Sequence, residues 1–510
     1  MRHRSRGRDG RWPRVPAMAG RPPRRREWPP RCRGDGYRAA IYASRFVLVN
    51  RKDGLTMPYQ DLRAFLTALK NAGELVEIAR PVSPKYDIAK ALAKTSAIQG
   101  PALMFTQTGT AFPLVGGVYG NRRLALMAFE ATEQTIHEKV LKGINNPIAP
   151  VDFKGAPPCQ DVVLTDDAID VTKLPVPIYS PKDGGPYITA GIVVSENPET
   201  GIPDIGNYRF QIHGPKELGV FSAPNHRFGK NIAHATEMGK ELRGAIVIGV
   251  DPLTMYSGQV QSSDSTNDWF TSGGLRGSPV ELAKAVTNDM KVPAWAEIVI
   301  EFTVDTRTQK MEGPLGEYTG YYTPASPKPV ARITAITHRK NAIFQGLLTG
   351  KPITENHVLK QIPFETSILR QLQAQFPTIT DVSINSSGGV QIYVVIAMKP
   401  RYEGEARHAI LAAMAGNLHP KWVIVVDPDI DIRNSAEVEW AQSFRVKPSQ
   451  DVFIVDRTAT APLDPYTDGG YSSSVGIDAT RPFGEEFPDV SEVPDWKDFP
   501  LPELDGLSRK

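Results

Sequence analysis

The chain has 510 residues, 41% of them hydrophobic and 23% charged, and a formal net charge of +3. That is ordinary globular usage over a length suited to about three domains, and it excludes a fibrous or wholly disordered chain. Two cysteines, Cys32 and Cys159, are too few for a disulfide framework or a thiolate metal cluster and fit a reducing, cytoplasmic location; no apolar run approaches the roughly eighteen residues of a membrane span.

The charge is unevenly placed. Residues 1–56 hold fifteen arginines and one lysine against four acids, a net +12, and the other 454 residues hold 43 bases and 52 acids, a net −9. The first segment is rich in Arg, Pro and Gly without apolar periodicity, so it is expected to be a disordered basic tail. A nucleic-acid arm and a transit peptide are alternatives. The excess of Arg over Lys favours translated upstream sequence, with the natural start at Met57. The mildly acidic remainder implies neither a nucleic-acid nor a membrane partner.

From Met57 the pattern becomes globular. Asp61 caps a helix whose apolar positions are Leu62, Phe65, Leu66 and Leu69, and Gly73 stops it. A strand at 75–78, a helix at 87–97 and strands at 103–106 and 112–118 make 57–160 an N-terminal α/β domain. Between 161 and 350 the signal is mostly β, with runs at 188–195, 208–213, 245–250, 296–302, 332–338 and 342–347. One helical insert is expected at 279–288. Many short strands suggest a barrel or sandwich, and a barrel mouth is a common ligand site. Residues 351–470 alternate again: helices at 364–375, 405–418 and 436–445, strands at 390–398, 422–426 and 452–455, a third, α/β module. The last segment, 471–510, is rich in Pro, Gly, Asp and Ser and is expected to wrap over a surface or a partner subunit.

Four strings carry candidate chemistry. In EGPLGEYTGYY at 312–322, Glu312 and Glu317 flank a Gly-Pro turn that can bring both acids to one side of a loop. Paired carboxylates can drive each other's protonation apart. A surface turn with two solvated acids is the alternative, which Tyr318, Tyr321 and Tyr322 weaken by arguing for burial. In DIGNYR at 204–209, Arg209 in a β run facing a cavity is costly unless it binds an anion or pairs with an acid, and a strand-edge arginine in solvent is the alternative. In SAPNHR at 222–227 and in 264–277, His226 and Asp268 are usable ligands for Mn²⁺ or Mg²⁺. A hydrogen-bonded loop histidine is the alternative for His226.

Taken together, these strings resemble the UbiD family of decarboxylases. MPYQDLRAFLTALKNAGEL, GNYRFQIH, AIVIGVDP, GGLRG, NDMKVPAWAEIVIE, EGPLGEYTGYY, KWVIVVDPDID and GIDAT run in the family's order over about 57–490. The resemblance implies an N-terminal α/β domain, a central split β-barrel that holds prenylated FMN, and a C-terminal α/β dimerisation domain. It implies reversible decarboxylation of an aromatic, heteroaromatic or α,β-unsaturated acid, with CO₂ as product and a flavin prenyltransferase as cofactor supplier. The protein is then a homodimer or hexamer. The family's catalytic Arg and two Glu fall on Arg209, Glu312 and Glu317, with Glu317 the proton donor. Its metal site, usually Mn²⁺ with a monovalent cation such as K⁺ nearby, falls on Asp204, His226 and Asp268. Asp204 stands where the family has Asn, and Asp268 where it has Glu. Cofactor contacts fall on Asn207, Tyr208, Arg209, Ser222, Ala223, Pro224 and Arg227. Ser474 replaces a frequent Lys, which implies weaker cofactor retention. Substrate specificity is assigned by proximity alone to GGYS at 469–472 and to 350–357. The alternatives are the carboxylase direction, on a phenolic or acyl-CoA aromatic, and a non-catalytic subunit of a multi-subunit carboxylase.

Overall fold

The structure is a computed structural model that describes residues 59–351, 353–461, 463–491 and 493–494. The basic tail at 1–56 lies outside the described residues.

The first helix, Leu62–Asn71, starts where Asp61 accepts a hydrogen bond from the Ala64 amide, and it buries Leu62, Phe65, Leu66 and Leu69 along one face. Arg63, on the same helix, reaches across to Glu297 with two nitrogens at 2.7 and 2.8 Å and so ties this helix to the central segment. The N-terminal sheet runs Leu75–Ile78, Ala102–Phe105, Leu114–Gly116, Phe344–Gln345. Its fourth strand is supplied by the run expected at 342–347, so that run completes the N-terminal sheet and not the central one.

The central sheet has nine strands. Its path is Tyr187–Ile188, Phe210–Gly214, Glu217–Val220, Ser326–His338, Ile298–Glu312, Leu242–Ile248, Gly191–Glu196, Pro203–Asn207, with Val162–Thr165 added beside Ser326–His338. The path is open at both ends, and no ladder joins Tyr187–Ile188 to Pro203–Asn207. The spine is one long antiparallel hairpin, paired from Ile298 opposite His338 to Glu312 opposite Ser326. Its inward faces alternate Ile298, Ile300, Phe302 and Val304 with Ile246, Ile333 and Ile336 in a continuous buried cluster.

The helix expected at 279–288 is not formed. Glu281–Lys284 is instead a strand between Lys291–Pro293 and Val151–Asp152. Good helix formers here yield to sheet pairing with two partners. The third sheet has the order Ile379–Ile384, Tyr393–Met398, Trp422–Val426, Tyr471–Ala479, Val452–Ala459. Tyr471–Ala479 therefore sits between two strands, parallel to one and antiparallel to the other. This corrects the expectation that a wrapping tail begins at 471. Helices Glu355–Gln373 and Glu405–Met414 pack on one face of this sheet, and Ser435–Arg445 on the other.

Candidate functional site

Arg209 lies between the strands Pro203–Asn207 and Phe210–Gly214. Period-two alternation puts Gln211 and His213 on its side of the sheet. Glu312 is the last residue of the long strand, and its side chain is buried beside Gly219. A Cβ at Gly219 would come within 2.8 Å of the His213 ring and 3.2 Å of Glu312 Cγ, so glycine leaves room for the acid. Gly313 then turns the chain with φ +98°, a conformation that suits glycine. A second small ladder, Leu315–Gly316 with Tyr322–Thr323, folds the loop back over the sheet and carries Glu317.

These elements converge on the guanidinium of Arg209. Its Nε and Nη2 donate to the two oxygens of Glu312, each at 3.1 Å, in a bidentate fork. Its Nη1 donates to Glu317 Oε1 and, at 3.4 Å, to Thr323. The Phe221 ring lies beneath it, 4.0 Å from the guanidinium carbon. Relative exposure is 8% for Arg209, 0% for Glu312 and 8% for Glu317, so these are buried groups and not solvated acids on a surface turn. The cation stands between the carboxylates, which makes both acids its partners. Gln211 Oε1 accepts from Tyr187 and from the Gly313 amide, bracing the turn that follows Glu312. Burial, followed by the Glu312 charge, raises the Tyr187 phenol well above its ordinary value.

A second guanidinium cluster lies at the sheet edge. Arg227 opens the helix Arg227–Glu237 and donates to Asp268 at 2.7 Å, with Asp204 at 3.5 Å. It also donates to Ser262 and to the main-chain carbonyls of Pro203 and Thr266. Asp204 and Asp268 are both buried. Burial pushes Asp204 up to about 7, with Arg227 opposing, and raises Asp268 as well. A cleft of about 470 Å³ lined by Ile144, Pro147, Val260, Ser262, Thr266 and Phe270 borders this cluster, with no residue of the Arg209 cluster in its lining.

Three family descriptions match the chain in succession: the 3-octaprenyl-4-hydroxybenzoate carboxy-lyase N-terminal domain over residues 66–144, the Rift-related domain over 152–352 and the C-terminal domain over 357–479. The chain belongs to the UbiD family. An uncharacterised protein of Archaeoglobus fulgidus is 31% identical over 471 residues, 86% of this chain and 96% of its own. Among solved structures, the UbiD-class enzyme HmfF from Pelotomaculum thermopropionicum in complex with FMN matches with a TM-score of 0.82 at 33% identity, covering 87% of this chain and 99% of that one. The 3,4-dihydroxybenzoic acid decarboxylase of Klebsiella pneumoniae matches with a TM-score of 0.78 at 27% identity, covering 86% and 98%. The protein is a carboxy-lyase of this family with its mixed α/β multi-domain fold.

Against the UbiD pattern, the structure brings Arg209, Glu312 and Glu317 together and treats the other residues unevenly. Asn207 is held by Gln259 at 2.7 Å and lies against Met255, while Tyr208 points to the opposite face and packs on Phe228. The Ser222 hydroxyl is buried without a hydrogen-bond partner, and Ala223, Pro224 and His226 form the turn that follows it. An unpaired buried hydroxyl is costly, and a flavin laid along this stretch would satisfy it. The expected metal ligands do not form a set. Asp204 and Asp268 meet across Arg227, His226 is exposed beside the Tyr208 ring, and among the described residues no three His, Cys, Asp or Glu side chains are grouped to hold an ion. Ser474 is buried in the third sheet, where it bonds to the Pro420 carbonyl and Thr458 and to none of these residues. GGYS at 469–472 forms the turn into that strand. In 350–357, His357 Nε2 meets the Tyr318 carbonyl at 2.7 Å, next to Glu317.

Sequence reasoning missed Gln211, Phe221, Thr323 and Lys360. Gln211 was accessible by alternation from Arg209. Lys360 is one helical turn after His357 and lies over the Tyr318 ring at 4.6 Å. Burial lowers its pKa, opposed by the charge of Glu317.

Proposed function

We propose that the protein is a prenylated-FMN-dependent reversible decarboxylase of an aromatic, heteroaromatic or α,β-unsaturated carboxylic acid. The observation that carries the reading is one buried guanidinium shared by two carboxylates at the head of a β-hairpin. The similar structures from Pelotomaculum thermopropionicum contain FMN in one case and prFMN in another, and other similar structures are vanillic and 3,4-dihydroxybenzoic acid decarboxylases.

Asn207, Ser222, Ala223 and Pro224 would hold the flavin, with Tyr208 packed behind on the other face, and the prenylated form supplies an electron sink for the carbon that loses CO₂. Glu312, gripped by two parallel bonds, fixes the plane of Arg209. Arg209 in turn holds Glu317 by Oε1, and Oε2, which accepts only a 3.4 Å bond from the Tyr318 amide, carries the proton. Decarboxylation breaks the bond between the substrate carbon and its carboxylate. CO₂ leaves without the electron pair, and the proton on Glu317 Oε2 replaces it. In the carboxylase direction the same oxygen takes the proton. The half-buried ring of Phe221 and the buried Tyr318 keep water from the acids. A flavin prenyltransferase supplies the cofactor. Assembly as a homodimer or hexamer uses the C-terminal module, where Phe444 and Ile454 are 69% and 65% exposed.

The test is co-expression with a flavin prenyltransferase, followed by assays of aromatic acids for CO₂ release in deuterated water. One deuterium at the vacated carbon per CO₂ released is expected. A flavin-loaded protein that turns over none of the acids, or releases CO₂ without taking up solvent hydrogen, would contradict the reading.

A further inference from the structure

We propose that Arg227 takes the place of a divalent ion in this chain, so that its flavin is bound without Mn²⁺ or Mg²⁺. The inference rests on the cofactor reading above. Arg227 is the first residue of the helix Arg227–Glu237, where a cation opposes the helix dipole. Acceptors from three other segments hold it there. Nη1 donates to Asp268 at 2.7 Å and Ser262 at 3.1 Å; Nη2 donates to the carbonyls of Pro203 at 3.2 Å and Thr266 at 3.0 Å; Nε faces Asp204 at 3.5 Å. Four of the five guanidinium N–H groups thus donate hydrogen bonds, and the fifth, on Nε, faces Asp204 as a longer ion pair.

The carboxylates are engaged in the same way. Asp268 Oδ1 accepts from Ser262 at 2.6 Å and Oδ2 from the Ile205 amide at 3.0 Å, while Asp204 Oδ2 lies 3.4 Å from the Ser195 hydroxyl, which Asn231 braces. An ion coordinated by these oxygens would sit against the guanidinium, two positive charges in one partly buried space, and would compete with Arg227 for the same carboxylates. His226 adds nothing to the set, since it is exposed and faces Tyr208. Asp268 is also one methylene shorter than glutamate and is spent on Arg227. The geometry is that of a finished ion-pair cluster, with the cation supplied by the chain.

The experiment uses the full chain, incubated with MnCl₂, desalted and measured for manganese, alongside FMN titrations followed by flavin fluorescence in EDTA and in MnCl₂. Wild type is expected to retain well under about 0.1 Mn per chain and to show less than about a twofold change in FMN affinity. Close to one Mn per chain, or an FMN affinity raised more than about tenfold by MnCl₂, overturns the proposal. Arg227→Met removes the built-in cation and is expected to take up Mn²⁺, with a thermal midpoint that rises in MnCl₂. A folded variant as indifferent to MnCl₂ as wild type counts against Arg227 as the excluding group. If this variant does not fold, wild type alone decides. Absence of FMN and prFMN binding in both buffers would refute the cofactor reading instead, and the manganese content of the free protein would still decide this one.

Discussion

Two buried clusters of the same composition, one arginine and two acids, lie on the central sheet. They differ in what else holds the arginine. Arg227 is bound by two main-chain carbonyls and a serine besides its aspartates, so backbone groups help to set its position. Arg209 has side-chain partners only, Glu312, Glu317 and Thr323, with a phenylalanine beneath. One acid of that set is gripped by a fork at a strand end, and the other hangs by one oxygen from a hairpin loop. One arginine with two acids thus makes a structural ion pair in one place and, in the proposed function, a proton-delivering pair in the other. The difference is the number of fixed acceptors.

The sharpest break in this contrast is Glu317→Gln, which keeps the shape and the bond to Arg209 but removes the oxygen that the proposed function makes the proton donor. Loss of a general acid costs about 10²–10⁴ in rate. Deuterium uptake at the vacated carbon should fall by that much while the thermal midpoint stays near wild type. Unchanged uptake would mean that another group supplies the proton. Next comes Arg209→Ala, which leaves Glu312 fully buried with its charge unpaired; a loss of roughly 3–5 kcal/mol in chemical denaturation is expected, with no activity. A wild-type denaturation midpoint would show that Glu312 has other compensation.

A smaller effect belongs to Glu355, a buried carboxylate with no arginine, held by the amides of Tyr119 and Leu348. Burial pushes it up to about 7. The folded state then binds the proton more tightly than the unfolded chain. The associated stability is full at acid pH and is lost as pH rises from about 4.5 to about 7, a loss of roughly 3 kcal/mol. Glu355→Gln should flatten the profile across that window, as measured by urea melts at the two ends. A variant that keeps the wild-type slope would place the dependence elsewhere.

How much could be read beforehand follows the same division between local and fixed features. Glu312 and Glu317 share one short string with a Gly-Pro turn, so their convergence was legible from spacing. The strand Leu75–Ile78, the helix Asp87–Ala97 and the strand Trp422–Val426 also lie where their patterns place them. What sequence concealed depends on distant partners. The stretch around Glu281–Lys284 contains helix formers and becomes a strand because two other strands flank it. Tyr471–Ala479, with its run of serines, reads as a loop, yet it is an interior strand of its sheet. Gly476 lies so close to the Phe453 ring that a Cβ would come within 2.5 Å of it. The UbiD resemblance assigned Arg227 only as a cofactor contact; that it would pair with Asp204 and Asp268 depends also on the Pro203 and Thr266 carbonyls, which no side-chain pattern announces.

The fourth strand of the N-terminal sheet has a consequence for synthesis. Leu114 waits for Phe344, some 230 residues later in the chain. At about 5–20 residues per second, a ribosome needs roughly 10–50 s to deliver that partner. Until then the nascent polypeptide carries an unpaired β edge, which makes this interval the one in which a holding chaperone would matter most.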